Sequence, residues 1–182
     1  MKSNRVAKID GVRITQINLA SDSRGSFIKF HPSLEISDQL GSIAISFNPK
    51  LGTIRGLHFQ VEPFAEEKLV SCLQGSIFDV IVDLRLNSTT FGKWTSFELS
   101  SVNSQQVYLP KGIAHGFQTL VPDSIVHYSL SASYSPESSY AINPFGELGI
   151  NWPLEALSVS ERDAQGIEFS TAAQKYAESL KS

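Results

Sequence analysis

Between Gly75 and Leu86 the chain reads GSIFDVIVDLRL. Phe78, Val80, Val82 and Leu84 fall on one side of a pleat; Ile77, Asp79, Ile81, Asp83 and Arg85 fall on the other. A period of two predicts a β-strand. WTSFELS (Trp94–Ser100), QQVYLP (Gln105–Pro110), HGFQTLV (His115–Val121) and SIVHYSLSASY (Ser124–Tyr134) follow at short spacing. Turn-rich stretches separate them: LNSTTFG, SSVNS, PKG and VPDS. VRITQINL and GSFIKF add N-terminal strands, and EEKLV opens another. Many short strands with frequent turns predict an all-β sandwich, jelly roll or barrel. Helix is expected at the end, over SVSERDAQGIEFSTAAQKYAESL, with Ser160 and Asp163 in capping-like positions and Gly166 as an interruption. A short helical piece is expected at SLEISDQL. SPESSYAINPFGELGINWP is the longest irregular stretch, and it is too apolar for a disordered tether.

RGLHFQ, Arg55–Gln60, breaks the apolar pattern. Alternation puts Gly56, His58 and Gln60 on one face, with Leu57 and Phe59 behind. Arg55 falls on the other face unless a bulge turns it, and Gly56 suits a bulge. Taken alone, His58 and Gln60 read as polar residues of a half-exposed strand. Lys68, at the start of the next strand, changes that reading towards a site.

The 182 residues fit one domain, 1–182, with enough apolar material (41%) for a core. Eleven Phe against one Met predict a core of aromatic and branched side chains. A formal net charge of −3 argues against nucleic acid or an anionic membrane surface as main partner, while leaving room for a small anionic ligand held by local Arg and Lys. Cys72 is the only cysteine, so no intrachain disulfide is expected, which fits a reducing compartment. MKSNRVAKIDGVRITQ lacks the apolar core of a signal peptide, and no window approaches a membrane span. A cytoplasmic protein is expected.

LPKGIAHGF carries Pro110-x-Gly112-x-x-His115, which resembles the second motif of cupins, where a Pro-Gly turn feeds a histidine into the barrel mouth. His58-Phe59-Gln60 stands where metal cupins carry an HxH pair, so a metal site is poorly supplied. His127 neighbours Tyr128 on one strand and should point the opposite way.

RGSF, SFNPKLGTIRGLHFQ, EEKLVSCLQGSIFDVIVDLR, STTFGKW, YLPKGIAHGFQTL, YSP and NPFGELGINWP occur in that order. Together, from about Arg24 to Asp163, they resemble the dTDP-4-dehydrorhamnose 3,5-epimerase family of cupin-like nucleotide-sugar epimerases. The resemblance implies a cupin-like jelly-roll β-barrel with a short C-terminal helix, a homodimer, and a nucleoside-diphosphate 4-keto-6-deoxysugar as substrate. It implies neither a metal nor a redox cofactor. A 4-keto group acidifies the protons on C3 and C5; a base removes one and an acid returns a proton from the other face.

By resemblance, His58 matches the base, Asp163 in SERD the carboxylate that orients it, and Tyr128 the acid. A neutral imidazole and a protonated phenol are the forms these reference groups take near pH 7. Asp163 also reads simply as an acid in the first turn of the last helix, and Tyr128 as a barrel-lining tyrosine. The resemblance places Lys68 near the developing enolate oxygen and His115 beside the same pocket. Arg55 and Arg24 would bind the diphosphate, and Phe27 and Gln60 would line the sugar-nucleotide path. The nucleotide-facing positions depart from the family pattern. Lys29 replaces a Glu near the nucleoside, Ile45–Asn48 replaces an Asn-x-Ser-x-Ser run, Ser71 replaces an Arg, and Ser133 replaces a Tyr while Tyr134 remains. The alternatives are an epimerase working at one carbon or on another nucleotide such as CDP, a 3,4-ketoisomerase, a metal-dependent cupin dioxygenase and a non-catalytic sugar-binding cupin.

Overall fold

The computed structural model describes residues 8–28 and 41–181. The expected helix at SLEISDQL and the candidate Lys29 lie outside them. The strands are β1 (Arg13–Gln16), β2 (Leu19–Asp22), β3 (Gly25–Ile28), β4 (Ser42–Asn48), β5 (Thr53–Gln60), β6 (Lys68–Gln74), β7 (Ser76–Asp83), β8 (Trp94–Ser100), β9 (Gln105–Leu109), β10 (Ile113–Thr119), β11 (Ser124–Leu130), β12 (Ser139–Ala141) and β13 (Ser158–Val159). Helices α1 (Glu161–Ala164) and α2 (Phe169–Ser179) follow. One sheet runs β1-β9-β6-β11-β4; the other runs β12-β5-β10-β7-β8, with β13 added in parallel to β5. The remaining strand pairings are antiparallel, and β2 and β3 form a separate ribbon. This is the cupin-like jelly roll.

The alternation in β7 explains the layering. Its Ile77 and Ile81 join Val70, Cys72, Val107, Phe117 and Val126 in the core between the two sheets. Its Val80 and Val82, with Leu84 just beyond, join Leu57, Phe59, Ala114, Ala172 and Tyr176 on the opposite face. The six-stranded sheet is therefore buried on both sides, because α2 and the segment around Leu148–Trp152 cover its outer face. Trp94 Nε1 donates to the carbonyl of Leu148, and Trp152 Nε1 to that of Pro144, at 3.0 and 2.9 Å. These bonds pin the stretch read as irregular, and β12 forms inside it by pairing Ser139 with Gln60 and Ala141 with His58. Gly166 divides the terminal helix as expected, since a Cβ there would sit 2.6 Å from the backbone nitrogen of Asn143.

Cys72 lies in the inter-sheet core, and burial pushes its thiol up to about 11. Iodoacetamide at pH 8 should therefore leave the folded protein unmodified and label it in urea. Rapid labelling of the folded protein would place Cys72 outside the core.

Candidate active site

β5 supplies the site, and a local irregularity decides how. His115 of β10 is opposite His58, but Phe117 is opposite Arg55. Three steps on β5 thus face two on β10, an extra residue that reverses the pleat. The bulge turns Arg55 to the same face as His58, the condition the sequence left open. Gly56 makes this fit: its φ is +111°, and a Cβ would lie 2.6 Å from the Gly116 Cα. Gly116 is equally tight, with 2.7 Å from a Cβ to the Arg55 carbonyl. Gly56→Ala should therefore destabilise the fold by about 1–3 kcal/mol through overpacking alone. It should also lower turnover by moving His58 away from His115. An unchanged urea midpoint and kcat would show that the close approach is unimportant.

Arg55, His58, Gln60, Lys68, His115 and Tyr128 line one cleft of about 260 Å³ in the barrel mouth. The structure thus gathers six of the ten sequence candidates directly. A seventh, Asp163, stands behind His58, whose Nε2 lies 2.7 Å from its Oδ1. The Gly56 amide donates to Asp163 Oδ2 at 3.0 Å, so the glycine that allows the bulge also holds the carboxylate. Burial opposes ionisation of Asp163, but hydrogen bonds from His58, Gly56 and Ser160 outweigh it and hold the carboxyl below its usual range. The capping role is present too: Ser160 Oγ accepts from the Asp163 amide at 3.1 Å. With Nε2–H given to the carboxylate, the lone pair of a neutral His58 resides on Nδ1.

Tyr128 stands on β11 across the cleft, its ring edge-on to His115 at 6.1 Å between centroids. Burial raises its phenol well above the ordinary value, more than the Ser46 hydrogen bond and the Arg55 charge lower it. It therefore keeps its proton at neutral pH. Lys68 Nζ is buried, 3.3 Å from Glu66 Oε1 and 3.3 Å from the His58 carbonyl. Arg55 Nε donates to Asn48 Oδ1 at 2.7 Å, which steers the guanidinium along the cleft wall. Gln60 lines the cleft, but its amide is already engaged with Phe64, Glu66, Ser133 and Ser135. It holds the Ser133–Ser135 segment in place.

Arg24 and Phe27 are elsewhere. They sit on the β2–β3 ribbon beside a separate hollow that shares no lining residue with the His58 cleft. Arg24 pairs with Asp22 at 2.6 Å, and Phe27 is 68% exposed. Sequence reasoning in turn missed Asp79, Glu66 and Arg162. Arg162 lines the cleft and reaches Ser139 Oγ at 2.9 Å and the Tyr134 hydroxyl at 3.4 Å. Asp79 carried a readable signal, a carboxylate on the inward face of an apolar strand. His127 points away from the cleft as expected, near Ser71 Oγ at 3.4 Å. Among the described residues no three His, Cys, Asp or Glu side chains converge as a metal site requires.

An ionised carboxylate behind a histidine, a protonated phenol opposite, and Arg55, Lys68 and Arg162 together suit proton transfer on an anionic ligand. Comparison with known proteins agrees. A profile of the dTDP-4-dehydrorhamnose 3,5-epimerase family matches residues 6–171. A dTDP-4-dehydrorhamnose 3,5-epimerase of Sinorhizobium fredii is 47% identical over 65% of this chain, and the match spans 62% of that relative's length. A dTDP-4-dehydrorhamnose 3-epimerase of Streptomyces niveus is 32% identical over 87% of this chain and 80% of its own. The crystal structure of a 3,5-epimerase from Legionella pneumophila in complex with dTDP-4-keto-L-rhamnose superposes with a TM-score of 0.85, at 36% identity. It covers 94% of this chain and 95% of its own.

Proposed function

The chain belongs to the dTDP-4-dehydrorhamnose 3,5-epimerase family, and from that premise we propose that it converts dTDP-4-dehydro-6-deoxy-D-glucose to dTDP-4-dehydro-L-rhamnose. The observation that carries the reading is the His58–Asp163 pair facing a protonated Tyr128 across one cleft. His58 Nδ1 removes a proton from the carbon beside the 4-keto group. The C–H electron pair enters the ring bond, and the carbonyl pair moves to oxygen. Lys68 stabilises that oxygen as its charge grows. Tyr128 returns a proton from the opposite face; solvent then takes the proton from His58 and restores that of Tyr128, and the same cycle at the second carbon completes the inversion. Asp163 stabilises the imidazolium formed in between. Arg55 takes the diphosphate by charge-assisted hydrogen bonds, and Arg162 adds a second cation at the same rim. No step calls for a metal or a redox cofactor.

Arg24 and Phe27 then act from a second copy of the chain, the ribbon of one subunit entering the cleft of its partner. Support comes from the outward row Ile43, Ile45 and Phe47 on the sheet-edge strand β4, where Phe47 is 67% exposed. Light scattering at the mass of a dimer is expected, as is a raised KM for Arg24→Ala; a monomer with full activity would contradict this arrangement. A single cysteine, which can form no intrachain disulfide, suits the reducing cytoplasm, and among the described residues no helix is long and apolar enough to cross a membrane.

The test is conversion of the substrate by purified protein, followed by proton NMR of the sugar ring. Inversion at both C3 and C5 supports the proposal. The Streptomyces niveus match favours a second reading, inversion at C3 only, and the same spectrum separates the two. No conversion of a dTDP- or CDP-linked 4-keto sugar would reject both.

A further inference from the structure

Beside the cleft stands a second histidine–carboxylate pair, and this one is buried. His115 Nε2 lies 2.8 Å from Asp79 Oδ2, on adjacent strands β10 and β7. His115 and His58 are direct cross-strand partners, so their rings project side by side into the same cleft. We infer that the two pairs present opposite polarity to the substrate: His58 offers a lone pair at Nδ1, whereas His115 offers an N–H at Nδ1, set by Asp79 as its positioning residue. The inference deepens the epimerase reading and rests on it for the identity of the substrate oxygen.

Asp163 accepts from His58 and Gly56, with Ser160 beside it, and the His58 side chain is 37% exposed. That pair tolerates a net negative charge, so neutral His58 keeps its proton on Nε2. Asp79 is fully buried, receives only the His115 bond, and its Oδ1 has no partner among the described residues. A net charge of minus one on such a pair, out of reach of water, is strongly disfavoured. The pair is therefore neutral overall, with two possible placements of its shared proton. If the proton sits on Asp79, the hydroxyl donates to Nε2, and the single N–H of the neutral imidazole is on Nδ1. If it sits on the imidazole, both nitrogens carry hydrogen. Either placement leaves an Nδ1–H.

The neighbouring charges do not reverse this. Lys68 is the near cation from the facing sheet, but it is already paired with buried Glu66. Tyr128, edge-on to His115, is neutral. Arg55 on β5 is held by Asn48. Burial also pushes the Asp79 carboxyl up, against the opposing pull of His115 and Lys68.

The consequence is chemical. As His58 takes the α-proton and the carbonyl pair moves to oxygen, the Nδ1–H of His115 hydrogen-bonds that oxygen, and no proton passes between them. A second lone pair at this position would repel the oxygen instead.

The test is the ¹⁵N–¹H long-range spectrum of ¹⁵N-histidine-labelled protein at pH 7.5, without substrate, with signals assigned by their loss in His115→Gln and His58→Asn. Expected are a protonated Nδ1 at His115 and an unprotonated Nδ1 with a protonated Nε2 at His58. An unprotonated Nδ1 at His115 overturns the inference. Asp79→Ala should lower kcat about 10²–10³-fold, the effect of removing one oxyanion donor, with KM changed less than about twofold. An equal rise in KM with kcat unchanged would make Asp79 a binding scaffold only. If Asp79→Ala does not fold, the wild-type spectrum decides alone. Because that spectrum needs no turnover, a protein that fails to epimerise yet shows the expected tautomers loses the function and keeps the polarity.

Discussion

His58→Ala is expected to lower kcat by about 10²–10⁴-fold, the full contribution of a positioned general base, and to leave the fold intact. The ring is partly exposed, and among the described residues its one polar side-chain contact is to Asp163. When it is removed, Asp163 still accepts from the Gly56 amide, so no buried charge is stranded without a partner. Asp163→Asn should act in the same direction, because its NH2 must face either His58 Nε2 or the Gly56 amide, so the change disturbs the tautomer or the seat of His58 as well as removing the charge that stabilises the imidazolium. Steady-state kinetics with a urea titration check both. A His58→Ala variant within tenfold of wild-type kcat would remove His58 from the role of base.

The second large effect is on stability. Asp83→Ala should cost about 3 kcal/mol, the lower end for breaking a buried ion pair, since Arg85 keeps part of its side chain in water. Asp83 closes the end of β7. It accepts from the Arg85 amide at 3.0 Å, from Arg85 Nε and Nη2 at 2.8 Å each, and from Ser88 and Thr90 hydroxyls at 2.6 Å each. Arg85 Nη2 and Thr90 Oγ1 in turn bind the backbone of Asp10, so the network also fastens the segment that leads into β1. Burial works against the charge, but these donors outweigh it and hold the carboxyl below its usual value. A depressed folded-state pKa gives stability that is complete above the unfolded value of about 3.9 and is lost as pH falls through the folded one. Wild-type stability should therefore decline below about pH 4, and Asp83→Asn should flatten that decline. A drop in stability for Asp83→Ala smaller than about 1 kcal/mol would contradict the account.

Features that depend on local period were legible in the chain. The alternation read around β7 holds at its apolar positions, β8 has the bounds read from WTSFELS, and Ser160 caps α1 as expected. Features that depend on pairing between distant segments were not. Whether Arg55 joins His58 is decided by Gly116, sixty residues away, through the bulge it permits. β12 exists because the back edge of β5 is open to it. Asp79 is set against His115 by the β7–β10 register, which no single strand reveals. The resemblance named His58, Tyr128, Lys68, His115 and Asp163; the first four line one cleft, and Asp163 lies 2.7 Å behind His58. It also named Arg24 and Phe27, which a single copy of the chain keeps apart from the cleft.

The central claim is proton exchange at two carbons beside the 4-keto group. The direct measurement is incubation with dTDP-4-dehydro-6-deoxy-D-glucose in D₂O, read by mass spectrometry and proton NMR. The account predicts deuterium at C3 and at C5 of the product, and none from the His58→Ala variant on the same timescale. Product carrying no solvent deuterium, or labelling that persists undiminished without His58, would contradict it.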